Sequence, residues 1–460
     1  MKAGQTGYGL TTMSGTKPER FTFEVVSVVH NFLPKQDIIL VKSDDKKLAV
    51  TGFWQGMSGS PLYIEDKLVC AFSYGFRFNK VSLGGCTPIE YMKREGGTPR
   101  RATAIASKGG GPKIVQQPAA SMADWRKLAP TVDPQAAMDA LGPSRKSWLL
   151  SAPLPAPIPH PVETEGGVMT ASVPLSVSGF SAPAFGQLEK LFAASNVVPV
   201  RAGGSGTGSP ETGPSKFEMG GSISVQLIRG DMSAAATGTV SYIDGNNILA
   251  FGHPMFQTGE TYAPVATATV HTVIPSSQSA FVLASPVKEI GSLTQDRQAA
   301  IAADTNLRTP PIPVSISITT AAGKHTEKGT FNVEVMDNKF LTPAITGAAL
   351  MNAVQYYLPD RDDVTARVES VVRVKGAQPI EFVDYLYAND GAGSVMGAVR
   401  GLRVLVPLML NPYAPVQVES VDIKVDLKFE ANYGDVKEIR VPSGDLIAGQ
   451  RNTVTVLMDT

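Results

Sequence analysis

QGMSGSPLYIEDKLVCAFSYGF, residues 55–76, sets a Gly/Ser-rich turn, Gly56 to Ser60, ahead of two apolar stretches divided by Glu65-Asp66. Runs rich in β-branched and aromatic residues, punctuated by Gly, Pro and Asp, read as strands. Working outward, FTFEVVSVV (Phe21 to Val29), IILV (Ile38 to Val41) and LVCAFSY (Leu68 to Tyr74) repeat that pattern. Short strands so spaced, from Gly7 to about Met92, predict a barrel or sandwich, and the expected fold class is mainly β.

Composition narrows the function. A chain of 460 residues supports about three domains and a large core. Lys and Arg total 41, as do Asp and Glu, so no basic excess exists to hold a phosphate backbone, and nucleic acid is not an expected partner. Only 18% of residues are charged, while 44 Gly and 34 Pro favour strands, turns and linkers over long helices. No apolar run has the roughly 18 residues of a membrane span; Val404 to Leu410 is short and broken by Pro407. The opening MKAGQTGYGL lacks the apolar core of a secretory signal, so either a leader has been removed or none exists. Cys70 and Cys86 are too few for a disulfide scaffold or zinc site; one bridge or two free thiols remain. Antiparallel pairing of their strands would set them opposite one another, within bridging reach if the protein matures outside the cytoplasm.

Five segments follow. Residues 1–96 form the first β unit; 97–165, with GGG at 109–111 and PLPAPIPHPV at 153–162, read as a Pro/Gly/Ala-rich linker. Residues 166–216 form a small αβ insert, in which a strand-like VMTASVPLSVSGF precedes Phe185, Leu188, Leu191 and Phe192 at helical spacing, ending in the flexible GGSGTGSPETGPS. Residues 217–318 are again β-rich, with an Asp244-Gly245 turn. Residues 319–460 read as α+β: a buried helix from Thr342-Pro343 to about Leu358, another from about Ser394 to Leu405, then strands that finish in a small β-sandwich.

Gly56-Met57-Ser58-Gly59-Ser60-Pro61 carries the first chemical signal. Small residues around Ser58 let the backbone turn tightly, so that the N–H groups of Gly56 and Ser58 can face a developing oxyanion; taken alone, the segment reads equally as a Gly/Ser hairpin turn. Ser60 is expected to pack. A nucleophilic serine needs a base, and there are five histidines: His30, His160, His253, His271 and His325. His253, in Leu249-Ala250-Phe251-Gly252-His253-Pro254, follows an apolar strand and is presented at its end, whereas the others suit surface or structural positions. Gly203 to Gly208 lacks the Lys of a phosphate loop, and Pro359 to Asp363 lacks calcium-loop spacing. Leu293-Thr294-Gln295-Asp296-Arg297 is a polar island, read as a buried ion-pair corner or a turn.

Together these segments produce a resemblance. QGMSGSPLYIEDKLVCAFSYGF followed by TPIEYM resembles the serine-bearing half of the SpoIVB-type serine peptidase family, a bacterial group with a chymotrypsin-like double β-barrel. GTVSYIDGNNILAFGHPM resembles that family's base-bearing half. The resemblance implies Ser58 as nucleophile, His253 as base, and Asp44 or its neighbour Asp45 as the acid shortly before the nucleophile. It also implies that the halves stand in exchanged order, since the family runs base, acid, nucleophile; triads are defined by geometry and not by chain order. Met57 stands where trypsin-type peptidases carry an activating Asp, so that device is not available.

The expected architecture is a chymotrypsin-like double β-barrel split by a linker and a small αβ insert, with an α+β C-terminal region. The expected activity is that of a serine endopeptidase acting on protein or peptide substrates through an acyl-enzyme, with a catalytic Ser58, His253 and Asp44, and an oxyanion hole at Gly56 and Ser58. The alternative is an inactive scaffold for protein–protein interaction in the bacterial envelope. No metal or organic cofactor is implied. The resemblance implies an extracytoplasmic setting, and the site can assemble within one chain or, in a homo-oligomer, between two.

Overall fold

Hydrophobic alternation closes the first unit on itself. The computed structural model describes residues 1–96, 103–105, 113–116, 168–202 and 213–459, apart from residues 77–78, 194, 277–278, 323–324, 359–362, 389–395, 397–398, 412–415, 432–433, 442–445 and 447. Strands β1 (Thr6–Thr11), β2 (Glu19–Leu33), β3 (Gln36–Ser43), β4 (Pro61–Ile64), β5 (Lys67–Phe76) and β6 (Ser82–Pro88) form an antiparallel ring in the order β1-β2-β3-β6-β5-β4, with β4 returning to β1. Closure pairs both sides of each strand over most of the ring, except where β5 runs past the end of β4 beyond Ala71. On β2, Phe21, Phe23 and Val25 point inward while Thr22 and Glu24 point out, and the inward set packs with Val41, Leu62 and Phe72. Cys70 and Cys86 are bridged, with Cα atoms 5.6 Å apart. They lie diagonally rather than opposite, because Cys70 pairs with Pro88 and Cys86 with Phe72. Helix α1 (Ile89–Glu95) follows and buries Ile89 and Met92.

Within the expected linker, β7 (Thr103–Ile105) pairs antiparallel with β8 (Lys113–Gln116); most of the linker, with His160, lies outside the described residues, as does Gly203 to Gly208. Strand β9 (Val168–Thr170) adds antiparallel to β5. The insert holds β10 (Val173–Ser178), helix α2 (Ala182–Phe192) and β11 (Val197–Arg201), with β10 and β11 parallel. Ser181 caps α2 by accepting a hydrogen bond from the N–H of Ala184, and Ala184, Leu188 and Phe192 face inward.

A second antiparallel ring follows: β12 (Ser222–Gly230), β13 (Ser233–Asp244), β14 (Asn247–Ala250), β15 (Gly259–Ile274), β16 (Phe281–Arg297) and β17 (Ala300–Asp304), in the order β12-β13-β14-β17-β16-β15, closing on β12. The long β15–β16 hairpin reaches out of this barrel and lays Val270, Ala280, Val282 and Ala284 on the first barrel's core. Short β18 (Leu307–Arg308) pairs with β8.

The C-terminal region is not a separate sandwich. β19 (Ile312–Ala322) and β20 (His325–Val335) join the second barrel through β12, and the boundary expected at residues 318–319 falls inside β19. Helix α3 (Leu341–Tyr356) is buried nearly all round, as expected, but its first N–H groups are taken by Asn338 rather than by a cap at Thr342. The sheet is completed by β21 (Val364–Val374), β22 (Ile380–Ala388) and β23 (Val418–Lys428). In place of the helix expected at 394–405 stand α4 (Arg400–Arg403) and α5 (Leu405–Met409), with most of residues 394–398 outside the described set. β24 (Asp435–Arg440) and β25 (Thr455–Asp459) form a separate hairpin. No helix among the described residues is long and apolar enough to cross a membrane.

The barrels meet at the serine-bearing turn, where Gly59 takes a φ of +95° and an added Cβ would lie 2.1 Å from the Thr239 carbonyl oxygen and 2.5 Å from the Phe251 nitrogen. Gly59→Ala is therefore expected to lower unfolding stability by about 2–4 kcal/mol, from left-handed strain plus a clash with fixed backbone. Gly186→Ala, where an added Cβ meets nothing within 4 Å in α2, is expected to stabilise slightly. Urea unfolding of both variants measures this; equal effects would contradict the close apposition of the barrels.

Candidate active site

The turn carrying Ser58 is held from inside and from across the barrel interface. Its own bonds run from the Met57 N–H to the Trp54 carbonyl (3.2 Å), from the Ser60 N–H to the Met57 carbonyl (3.0 Å) and from the Gly59 N–H to the Phe72 carbonyl (2.7 Å). The Ser60 hydroxyl also donates to the Met57 carbonyl (2.6 Å), the packing role expected for it. From β13 of the second barrel, the Thr239 N–H donates to the Ser58 carbonyl (2.9 Å) and the Thr239 hydroxyl to that of Gly56 (3.1 Å). The Ser241 hydroxyl donates to the carbonyl of Gly59 (2.7 Å). The backbone acceptors of Gly56, Ser58 and Gly59 are thus satisfied by one strand of the other barrel.

What these bonds leave unspent is informative. The buried N–H groups of Gly56 and Ser58 donate to no acceptor among the described residues. Buried amides are almost always paired, so two left open on either side of Met57 stand out as unspent donors at the turn. Gly56, at φ +93°, supplies the conformation that a side chain would resist.

His253 follows β14. Phe251 (φ +70°) and Gly252 (φ +71°) both take left-handed conformations, which swing the chain sharply out of the strand. The Gly252 carbonyl accepts from the Thr87 hydroxyl of the first barrel (2.7 Å), and an added Cβ at Gly252 would lie 2.3 Å from the Ser73 Oγ. The His253 loop is therefore seated on β5 and β6, the strands that follow the Ser58 turn. Beyond it, the Asp296 carboxylate accepts the N–H groups of Met255 (2.8 Å) and Phe256 (2.6 Å). The polar island read from the sequence is thus the end of strand β16, and its carboxylate fixes the loop on the far side of His253.

The imidazole is wholly buried, and burial pushes its pKa down to about 4, opposed in part by the hydrogen bond between Nδ1 and the Pro254 carbonyl (2.8 Å). A carbonyl only accepts, so Nδ1 carries the proton of the neutral ring and Nε2 keeps its lone pair. Ser58 is also fully buried. Its Oγ and the His253 Nε2 are both buried polar atoms without a hydrogen-bond partner, and no hydrogen bond joins them in this structure.

The expected acid is placed elsewhere. The Asp44 side chain is 87% exposed and pairs with Lys42, while Asp45 accepts from the N–H groups of Thr22 and Lys47 in a surface turn. Neither carboxylate is bonded to His253, and the position behind the ring belongs to the Pro254 carbonyl. Of the remaining histidines, His30 pairs with Asp37 and His271 with the Ser285 hydroxyl, as suits structural residues. Sequence reasoning missed Thr239, Ser241 and Thr87, whose roles arise from contact between barrels and carry no local motif.

A cavity of about 550 Å³ opens beside the turn, lined by Phe53, Trp54, Gln55, Phe72 and Gly75 among others. No curated protein and no solved structure gives a significant match to this chain. Residues 2–92 match the SpoIVB peptidase S55 family, a stretch that spans the first barrel and contains Ser58 and Asp44 but not His253, and this match supports the SpoIVB-type serine peptidase family.

Proposed function

We propose that this protein is a serine peptidase that hydrolyses protein or peptide substrates through an acyl-enzyme, with Ser58 as nucleophile and His253 as general base. One observation carries the proposal: the two atoms such chemistry requires, Ser58 Oγ and His253 Nε2, are both unpartnered and buried, on loops that contact each other across the barrel interface. As Oγ attacks a substrate carbonyl carbon, Nε2 takes its proton; the electron pair moves to the carbonyl oxygen, beside the open N–H groups of Gly56 and Ser58. Collapse breaks the C–N bond, and the amine leaves with the proton from Nε2. Water repeats the sequence on the acyl-enzyme, with Nε2 again the base, and regenerates Ser58.

The Pro254 carbonyl takes the orienting role usually given to a carboxylate, holding Nδ1–H so that Nε2 stays an acceptor. Asp296 acts one step further out as a positioning residue. The Cys70–Cys86 bridge favours maturation in an oxidising, extracytoplasmic compartment. The competing reading, an inactive envelope scaffold, draws on the absence of a hydrogen bond between Ser58 and His253 and on the exposed position of Asp44.

A fluorophosphonate probe decides between them. Label is expected on Ser58, retained in Ser60→Ala, abolished in Ser58→Ala and slowed about 10²–10⁴-fold in His253→Ala. Label that survives Ser58→Ala would sink the assignment. The pH profile is a second check. Protonated Nε2 cannot accept, and burial holds the ring neutral down to about pH 4, so kcat/KM is expected to fall as pH drops through about 4. An acid limb at the ordinary histidine value, near pH 6.5, would contradict the buried base.

A further inference from the structure

A segment of the chain itself lies beside the Ser58 turn. On one side of β5, β4 pairs only as far as Ala71, leaving that edge open from Ser73 to Phe76. At Tyr74, β6 pairs on the opposite side through Gly85, while β9 takes the open edge, with Thr170 opposite Tyr74, Met169 opposite Gly75 and Val168 opposite Phe76. The Ala171 N–H continues the ladder by donating to the Ser73 carbonyl (2.8 Å). Ala171 is buried in the same cluster as Trp54, Met57 and Val282, and Thr170 to Ser172 line the cavity beside the turn. Three residues on, the Pro174 Cγ lies 3.1 Å from where a Cβ on Gly56 would stand. The segment therefore runs antiparallel along β5, whose Phe72 is bonded through its backbone to Gly59 and Ser60, and then passes against Gly56, one of the two residues with open N–H groups.

Proteins hold extended peptides in this way, by adding them as a strand to an open sheet edge beside the reacting group. Resting on the serine-peptidase reading of Ser58, we propose that Val168–Ala171 is a built-in occupant of the site's peptide-binding edge. It holds an extended backbone where the acyl-side residues of a polypeptide substrate would lie. Because the edge is a single line of N–H and C=O groups, a substrate and the segment exclude each other. Segment release precedes substrate entry.

The antiparallel ladder supplies an internal control. Hydrogen-bonded pairs alternate, so with Ala171 bonded to Ser73 the next bonded residue is Met169, while Thr170 turns its N–H away from β5. Proline removes one N–H at each position. In the full-length chain, Met169→Pro and Ala171→Pro are expected to raise the rate of fluorophosphonate labelling of Ser58 about tenfold each, and Thr170→Pro to change it less than about twofold. Ala171 packs in the core, so Met169→Pro, at a position judged by backbone pairing alone, is the deciding variant if Ala171→Pro fails to fold. An activity-independent arm uses the synthetic peptide GVMTASVP, residues 167–174, with each chain carrying Ser58→Ala. The peptide is expected to bind Met169→Pro and not the chain with its native segment.

Equal labelling rates in all variants, with no peptide binding or equal peptide binding, would overturn the proposal. Selective peptide binding while Ser58 stays unlabelled in every variant would uphold the occupancy and sink the peptidase reading instead.

Discussion

Thr239 and Ser241 clasp the carbonyls of Gly56, Ser58 and Gly59, and the remainder of the site depends on that clasp. Each such bond contributes about 1 kcal/mol net, but leaving any one of these buried acceptors unpaired would cost more than the bond gives. The turn is thereby locked against β13 with its carbonyls turned to the second barrel. The same β13 pairs with β14, and β14 delivers Phe251, Gly252 and His253 back onto the first barrel. One antiparallel hairpin thus fixes the backbone of the Ser58 turn and positions His253.

Low dielectric at this interface shapes the chemistry. Burial disfavours the imidazolium, which keeps His253 neutral and its Nε2 lone pair available. The Pro254 carbonyl can orient the ring but offers only a dipole where a carboxylate would offer a full charge. Asp296 brings the nearest fixed carboxylate to this loop, and it is engaged by the amides of Met255 and Phe256 rather than by the ring. A closed state of this kind suits a site whose peptide edge is already filled.

Both barrels were legible in the sequence because closed antiparallel rings bury one face of each strand, and Phe21, Phe23 and Val25 alternate with polar neighbours as that requires. The tight turn at Ser58 was legible from its glycines, and the placing of His253 just after a strand from the apolar run and Gly-Pro flanks around it. The orienting group was not legible: a main-chain carbonyl has no side-chain signature, and Asp44, chosen by analogy of position, sits on a surface turn. The strand-like reading from Val168 covered β9 but not its pairing, because its partner β5 is far away in the chain. The continuity of the C-terminal strands with the second barrel depends on β20 pairing with β12, which no local pattern encodes.

The most direct measurement of the joined site is a crystal structure of the protein after covalent reaction with a phosphonate at serine. The account predicts phosphorus on Ser58 Oγ, a phosphoryl oxygen about 3 Å from the N–H groups of both Gly56 and Ser58, and His253 Nε2 facing the Ser58 oxygen. A phosphoryl oxygen directed away from those two amides, or a His253 ring turned to another partner, would contradict it.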